Sequence, residues 1–368
     1  MKPILIVSPI PSHPQLQGNS QRIFTLAKWL KSSGFPLHFV YYGMEGLTDL
    51  QRREMSEFWD EFYYISPNRA APAPSHDDYY DIDDWFDDKV GFQVSELSKR
   101  YDYGSCIVNY VWFSKVLDYL PDSVVKVIDT HDVFGDRHIV AKAAGLEPVW
   151  FYTTVELESK GLSRADVVLA IQSEEAAYFE LITHRQVIEI GHVIPPTFLP
   201  QRNEKQLRIG YLGSANPFNV ASIEELEKAL NGVDNTNISW CLAGSITRAI
   251  NNKDGIFENW GFVDSLDDFY REMDIIVNPM VGGTGLKIKS VEALSYGKPL
   301  LATPDAMVGI NTTAESHLFE SLTSLVQFAN EYSAPRLVDE TNLARSVYQD
   351  YCHQQLVNIE SLVAVMSR

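Results

Sequence analysis

Short runs that are apolar at every position alternate along this chain with stretches whose apolar residues recur every three or four places. The first kind includes "ILIVS" (Ile4 to Ser8), "LHFVYYG" (Leu37 to Gly43), "CIVNYV" (Cys106 to Val111), "VKVIDT" (Val125 to Thr130) and "DVVLAIQ" (Asp166 to Gln172). Runs without a polar face fit strands of a parallel sheet covered on both sides. The second kind is typified by "SQRIFTLAKWLKSSGF", where Ile23, Leu26, Ala27 and Leu30 share one helix face and Gly34 signals the C-terminus. This βα rhythm predicts a doubly wound domain.

The rhythm breaks at "IPPTFLPQRNEKQ" (Ile194 to Gln206), where prolines and polar residues suit an exposed linker. It resumes with "LRIGYLGS" (Leu207 to Ser214), "ISWCLAGS" (Ile238 to Ser245), "MDIIVNP" (Met273 to Pro279) and "PLLATP" (Pro299 to Pro304). Two doubly wound domains are therefore expected. The length of 368 residues agrees, being too great for one ordinary core.

Composition narrows the function. With 45% hydrophobic and 21% charged residues the chain reads as globular and soluble. A formal charge of −19 repels nucleic acid and anionic lipid, and no basic patch offsets it. Cys106, Cys241 and Cys352 lack disulfide or zinc spacing, which suggests reduced thiols in a cytoplasmic protein. No apolar run reaches the ~18 residues of a membrane span, and the apolar start is broken too early by proline for a signal peptide. "SHDDYYDIDDWFDDKV" (Ser75 to Val90) reads as a solvated acidic loop rather than a metal site, since the glycine of an EF-hand turn is missing.

Chemistry concentrates in "VNPMVGGTGLKIKSVEALSYGKPL". A strand ends at Pro279, a glycine loop follows, and a helix begins with its positive dipole end toward that loop, which makes an anion site. Lys287 and Lys289 fall in the first turn, where cations oppose the dipole unless an anion is bound or the side chains reach solvent. Glu292 lies one turn beyond Lys289 on the same face. From Gly283 the third glycine of GxGxxG is replaced by Ile288, and the Walker spacing is absent, so a Rossmann dehydrogenase and a P-loop enzyme are disfavoured.

The run "NPMVGGTGLKIKSVEALSYGKPLLATPDAMVGI", with "RIGYLGSANPFNVASIEEL" and "WGFVDSLDDFYREMDIIVNP", resembles the C-terminal donor domain of family-four glycosyltransferases. More loosely, Gly18, Asn19 and Arg22 in the first loop and "VIDTHDVFGDR" resemble the family's N-terminal half. The resemblance implies the GT-B fold, two doubly wound Rossmann-like α/β domains facing across a cleft. The expected divisions are an acceptor-side domain over 1–198, a linker over 199–206, a donor domain over 207–345, and a tail over 346–368 that packs back on the first domain.

It also implies roles. Glu292 would bind the ribose of a nucleotide sugar. Gly282, Gly283, Thr284 and Gly285 with a following lysine would hold the phosphates, and the segment from Gly261 to Val263 would border the base. Gly213 and Gly18 fall at the matching loops. The family's first paired glutamate is replaced by Thr284, and the Arg/Lys pair usual between Gly213 and Asn219 is missing, which leaves Lys287 and Lys289 as substitutes. Arg22 would contact phosphate or an acidic acceptor, or else serve as a surface ion partner. At the end of strand "VKVI", His131 would orient acceptor or sugar and Asp129 or Asp132 would take the acceptor's proton; the alternative is a helix cap at Asp132 and a structural histidine. His13, His138 and His192 are expected to be structural.

The expected activity is transfer of a sugar from a nucleotide sugar to a glycan or lipid-linked acceptor in cell-surface polysaccharide assembly. Retention of configuration is the family habit, and a helix end with lysines can stabilise the departing phosphate, so neither a metal nor a further cofactor is expected. Membrane contact would be at most peripheral. An epimerase of the same fold and a silent sugar-nucleotide-binding domain are the alternatives.

Overall fold

The computed structural model describes the chain except residues 16, 69–71, 144–146, 203, 205, 235, 253, 254, 283, 284 and 368. It divides into two compact units: Met1–His192 with Gln355–Arg368, and Val193–Gln354.

The first unit holds a parallel sheet of β1 (Ile4–Ser8), β2 (Leu37–Tyr42), β3 (Glu61–Ile65), β4 (Ser105–Asn109), β5 (Val125–Asp129), β6 (Val167–Ala170) and β7 (Gln186–Glu189), in the order β3-β2-β1-β4-β5-β6-β7. The uniformly apolar runs became central strands: every residue of β1, β2, β4 and β6 is buried. The helix Gly18–Ser32 buries Ile23, Leu26, Ala27 and Leu30 as its periodicity requires, and Arg22 with them. The strand order reverses between β1 and β4, and the carboxyl ends of such neighbours are where open sheets accept ligands.

The acidic segment is solvated over residues 75–78 and at Asp88, as expected, but between them it is tied into this unit. Asp83 forms a forked pair with Arg164 at 2.6 and 2.8 Å, Asp84 accepts from the Ser75 and Asp81 amides at 2.8 Å each, and Asp87 caps the helix Asp88–Arg100. Trp85 packs edge-on to Trp112, 5.2 Å between ring centres. Tethering by arginine and by backbone N–H groups offsets the mutual repulsion that made a solvated loop the expectation.

The second unit holds a parallel sheet of β8 (Leu207–Leu212), β9 (Ile238–Ala243), β10 (Phe257–Gly261), β11 (Ile275–Asn278) and β12 (Leu300–Ala302), ordered β10-β9-β8-β11-β12. Its core gathers Ile209, Ile223, Leu226, Trp240, Ile275 and Leu301. The helix Pro217–Leu230 starts with proline in its first turn and Asn216 as N-cap, the cap contributing about 1 kcal/mol. The proline-rich segment is held against this unit: the amides of Thr197 and Leu199 donate to the carbonyls of Ser295 and Tyr296 at 2.8 and 3.0 Å, and Arg345 donates to the Leu199 carbonyl at 3.0 Å. The last helix, Ala334–Met366, is shared between the units, its Gln355 and Asn358 bonding Glu189 at 3.0 and 2.8 Å.

Candidate active site

In the second unit the switch point lies between β8 and β11. The helix Ile288–Ser295 follows β11 with Lys287 at its N-cap. Lys289, in the first turn, donates to Asn219 Oδ1 at 2.9 Å, and Asn219 in turn donates to the Ser214 carbonyl at 2.8 Å. A lysine after β11 is thus joined to the loop after β8. Its ammonium also lies 5.5 Å from the centre of the Tyr211 ring. Burial pushes the Lys289 pKa down from 10.5 to about 8, with Glu292 pulling it up and Lys287 pushing it further down. Here a cation is held where burial opposes it, the condition that a bound phosphate relieves.

Lys287 is buried and donates to the Gly285 carbonyl at 2.7 Å. Glu292, also buried, receives the Tyr270 hydroxyl at 3.5 Å, and Tyr270 stacks on Tyr296 with ring centres 4.2 Å apart. Burial first, and the Glu292 charge second, push the Tyr270 hydroxyl well up, so it stays a donor. The Gly282 amide is taken by Asp305 Oδ2 at 2.6 Å. Gly283 and Thr284, expected in the phosphate loop, lie outside the described residues.

Gly213 stands just past β8, where its carbonyl accepts from Ile246 N at 3.1 Å. Gly244, at φ +90°, packs so closely that a Cβ on it would lie 2.4 Å from the Gly213 oxygen. Only glycine permits that contact. Val263 is half-buried beyond β10, next to Phe262, which is 73% exposed.

In the first unit, Arg22 and Asp129 form a buried forked pair. Arg22 Nε reaches the two carboxylate oxygens at 2.8 and 3.1 Å, Nη2 reaches Oδ1 at 2.5 Å, and Nη1 donates to the Ile190 carbonyl at 2.6 Å. The arginine expected to meet phosphate or to lie at the surface is committed to a carboxylate that the sequence offered as a proton acceptor. Gly18 is exposed at the start of its helix.

His131 follows β5 with φ +63°, a conformation unusual for a side chain that is 5% exposed. Its ring stacks on Tyr110, with centres 4.3 Å apart. Nε2 faces Asn109 Oδ1 at 2.7 Å and Asp129 Oδ2 at 3.5 Å. Asn109 spends its amide on the Val7 carbonyl at 3.3 Å, so its oxygen faces the ring and Nε2 carries the proton. Nδ1 is left as the acceptor. Burial pushes the His131 pKa down to about 4, so the ring is neutral at pH 7. Asp132 accepts from Arg137 at 2.7 Å and from Val133 N at 3.0 Å, and is partly exposed. It caps no helix through these bonds; the next helix, Arg137–Ala143, begins five positions later. His13, His138 and His192 are buried, His138 stacking on Tyr152 with ring centres 5.3 Å apart.

Several neighbours escaped sequence reasoning. Asn219, which holds Lys289, is an asparagine in a helix start and looks like capping chemistry. Asn109 ends a strand and Tyr270 sits in an amphipathic helix, both without local signal. Glu158 and Glu175 are buried acids with pKa values pushed up by burial to about 7 and about 8, yet in "VELESKGL" and "SEEAAYFE" they read as surface positions. Among the described residues no group of His, Cys, Asp or Glu is arranged to hold a metal ion, and no helix is long and apolar enough to cross a membrane.

Residues 206–329 match the family model described as glycosyl transferases group 1. No curated protein matches the chain. Among solved structures the chain is similar to HepE of Anabaena in complex with UDP and glucose, at 11% identity and a TM-score of 0.67, covering 100% of both chains. A TarM mutant of S. aureus in complex with fondaparinux, alpha-GlcNAc-glycerol and UDP gives 11% identity, a TM-score of 0.68 and 100% of both chains. The sucrose-phosphate synthase of Thermosynechococcus elongatus gives 14% identity, a TM-score of 0.62, and 100% of this chain against 96% of that one. These likenesses show that the expected GT-B architecture is the fold of the whole chain. Residues 206–329 carry a likeness to the group 1 glycosyl transferases, within a chain whose fold is that of these solved structures.

Proposed function

We propose that the second unit binds a nucleotide-sugar donor at the carboxyl ends of β8 and β11, and that the sugar is passed with retention of configuration to a glycan or lipid-linked acceptor. The observation that carries this reading is Lys289, a buried cation at a helix N-terminus, held by Asn219 and flanked by Lys287 and Glu292. The leaving group of glycosyl transfer is a nucleoside diphosphate whose charge grows in the transition state. Lys289 and the helix end meet that charge, Lys287 adds to it, and Glu292 accepts from the ribose hydroxyls. Because protein groups supply the positive charge, the reaction is read as metal-independent.

In the first unit, His131 Nδ1 accepts from a hydroxyl of sugar or acceptor while Asn109 and Tyr110 fix the ring. Asp129 holds Arg22 and faces the protonated side of His131; Asp132, partly exposed, is the better-placed proton acceptor. Same-face attack requires no protein nucleophile, and the rate comes from positioning. The similar structures solved with UDP make uridine diphosphate the first nucleotide to try, and the glycan-like ligand of the TarM complex supports a carbohydrate acceptor. We place the work in the cytoplasm, in cell-surface polysaccharide assembly.

The test is thermal stabilisation by UDP, GDP, CMP and ADP, followed by turnover of the matching sugar nucleotides with and without EDTA, with the anomer of the product read by NMR. A nucleotide at ~100 times its dissociation constant adds ~2.7 kcal/mol to stability. Stabilisation by none of the four would remove the donor site. Stabilisation without turnover on any carbohydrate acceptor would leave a protein that only binds sugar nucleotides.

A further inference from the structure

We propose that Glu158 is a positioning residue: its carboxylate clasps the backbone beyond β5 and so sets the loop that carries His131 and Asp132. The proposal rests on the acceptor-side reading of His131. Glu158 belongs to the helix Val155–Leu162 and is wholly buried. Oε1 accepts from the Phe134 amide at 2.8 Å; Oε2 accepts from the Gly135 amide at 3.0 Å and from the Tyr178 hydroxyl at 2.7 Å. Three donors converge on one side chain, and an ionised carboxylate accepts all three at charge-assisted strength.

The clasped stretch is bounded by two residues in the left-handed region, His131 at φ +63° and Asp136 at φ +56°. That conformation is uncommon for residues with a side chain, though histidine and aspartate adopt it more readily than most, and surrounding contacts help to hold it. The clasp grips Phe134 and Gly135 between those two positions. It also leaves no room: a Cβ on Gly135 would lie 2.4 Å from the Tyr178 hydroxyl and 2.7 Å from Glu158 Oε2. Beyond it, Asp136 N donates to the Thr153 carbonyl at 2.8 Å, which closes the loop.

The groups facing this carboxylate are Tyr178 and Glu175 from the helix Ser173–Ile182 and Asp132 from the loop itself, with Asp136 and Glu156 acting on Tyr178. Burial pushes Glu158 up to about 7; the Phe134, Tyr178 and Gly135 donors pull it down, and Asp132 pushes it up. Above that pH the carboxylate takes all three donors. As pH falls through it, a proton arrives that must itself be donated; the Tyr178 bond reverses to accept it, Oε2 becomes a weaker acceptor for the Gly135 N–H, and the hold on His131 loosens. Turnover therefore falls on the acid side with a midpoint near that value.

The experiment follows the amide NMR signals of Phe134 and Gly135 in the whole chain from about pH 5.5 to about pH 8.5, beside kcat and donor KM. Expected are a common midpoint near 7 for both amides and for kcat, and an unchanged donor KM. Glu158→Gln should abolish the amide titration and lower kcat about 100-fold at every pH. Tyr178→Phe keeps the carboxylate and removes one donor, so both midpoints should rise by about one pH unit even if the first variant folds poorly. Amides that do not shift over this range, or Glu158→Gln with the parental kcat and pH profile, would overturn the proposal. Amides that titrate and respond to Tyr178→Phe, in a chain that turns over no sugar nucleotide, would uphold the clasp and sink the transfer reading instead.

Discussion

Replacing Lys289 by methionine keeps the length of the side chain and removes its charge. In the free protein that charge is a cost. Lowering the Lys289 pKa from 10.5 to about 8 corresponds to about 3 kcal/mol against the charged form, at 1.36 kcal/mol per pH unit. The substitution also strips Asn219 Oδ1 of its donor, which returns about 1 kcal/mol. Lys289→Met should therefore be more stable than the parent by about 2 kcal/mol at pH 7, a rise in Tm of about 4 to 8 °C. The sign with pH follows from proton counting. Between about 8 and 10.5 the unfolded chain binds more protons than the folded one, so the parent gains stability as pH rises and the gap to the variant closes over that window. UDP should act in the opposite sense. At a concentration ~100 times the parental dissociation constant it adds ~2.7 kcal/mol to the parent, but ~1.4 kcal/mol or less to a variant that binds ~10-fold or more weakly. Melting curves with and without UDP at pH 7 and 9.5 measure all of this. A variant that melts below the parent while keeping the full UDP shift would show that Lys289 is a packing residue and that no phosphate meets it.

Glu292→Ala should weaken UDP binding by ~10- to 100-fold, the loss of charge-assisted bonds to two hydroxyls, as read by titration calorimetry. His131→Ala should leave UDP affinity unchanged and lower kcat about 100-fold, because the nucleotide is read as held by the other unit; a parental kcat would remove the acceptor-side assignment. Arg22→Met leaves Asp129 charged and buried without its partner, so denaturant unfolding should show a loss of about 3 to 5 kcal/mol. Arg22→Lys should restore only part of it, since an ammonium cannot reproduce the fork to both oxygens and the Ile190 carbonyl.

The central strands were legible because burial on both faces leaves a mark in sequence: "ILIVS" became β1 residue for residue. Of the four edge strands only β12, whose residues are all buried, was legible. β3 reads "EFYYI" and β7 reads "QVIE", each paired on one side only, so polar residues intrude and the apolar run disappears. β10, "FENWG", failed for the same reason. At the candidate site, the helix mouth with Lys287, Lys289 and Glu292 could be read because glycines, dipole and cations are neighbours in sequence. Arg22 and Asp129 could be named individually, but a bond spanning 107 positions leaves no local trace, and their pairing changes what each can do. Glu158 was invisible for a related reason, since whether an acid in an amphipathic helix faces water or a backbone loop depends on residues far along the chain.

The contact between Gly213 and Gly244 has a bearing on how the proposed donor site can be explored by mutation. Where two loops meet with carbonyl oxygen against Cα, the wall they form is peptide, and peptide groups are the same whatever residues flank them. An alanine scan removes side chains, so it is blind to such a wall: neighbouring positions will tolerate substitution while the two glycines do not, and the scan will under-report this part of the proposed site. Methods that alter the backbone itself, such as replacing a single amide by an ester to delete one N–H, are the ones that can register it.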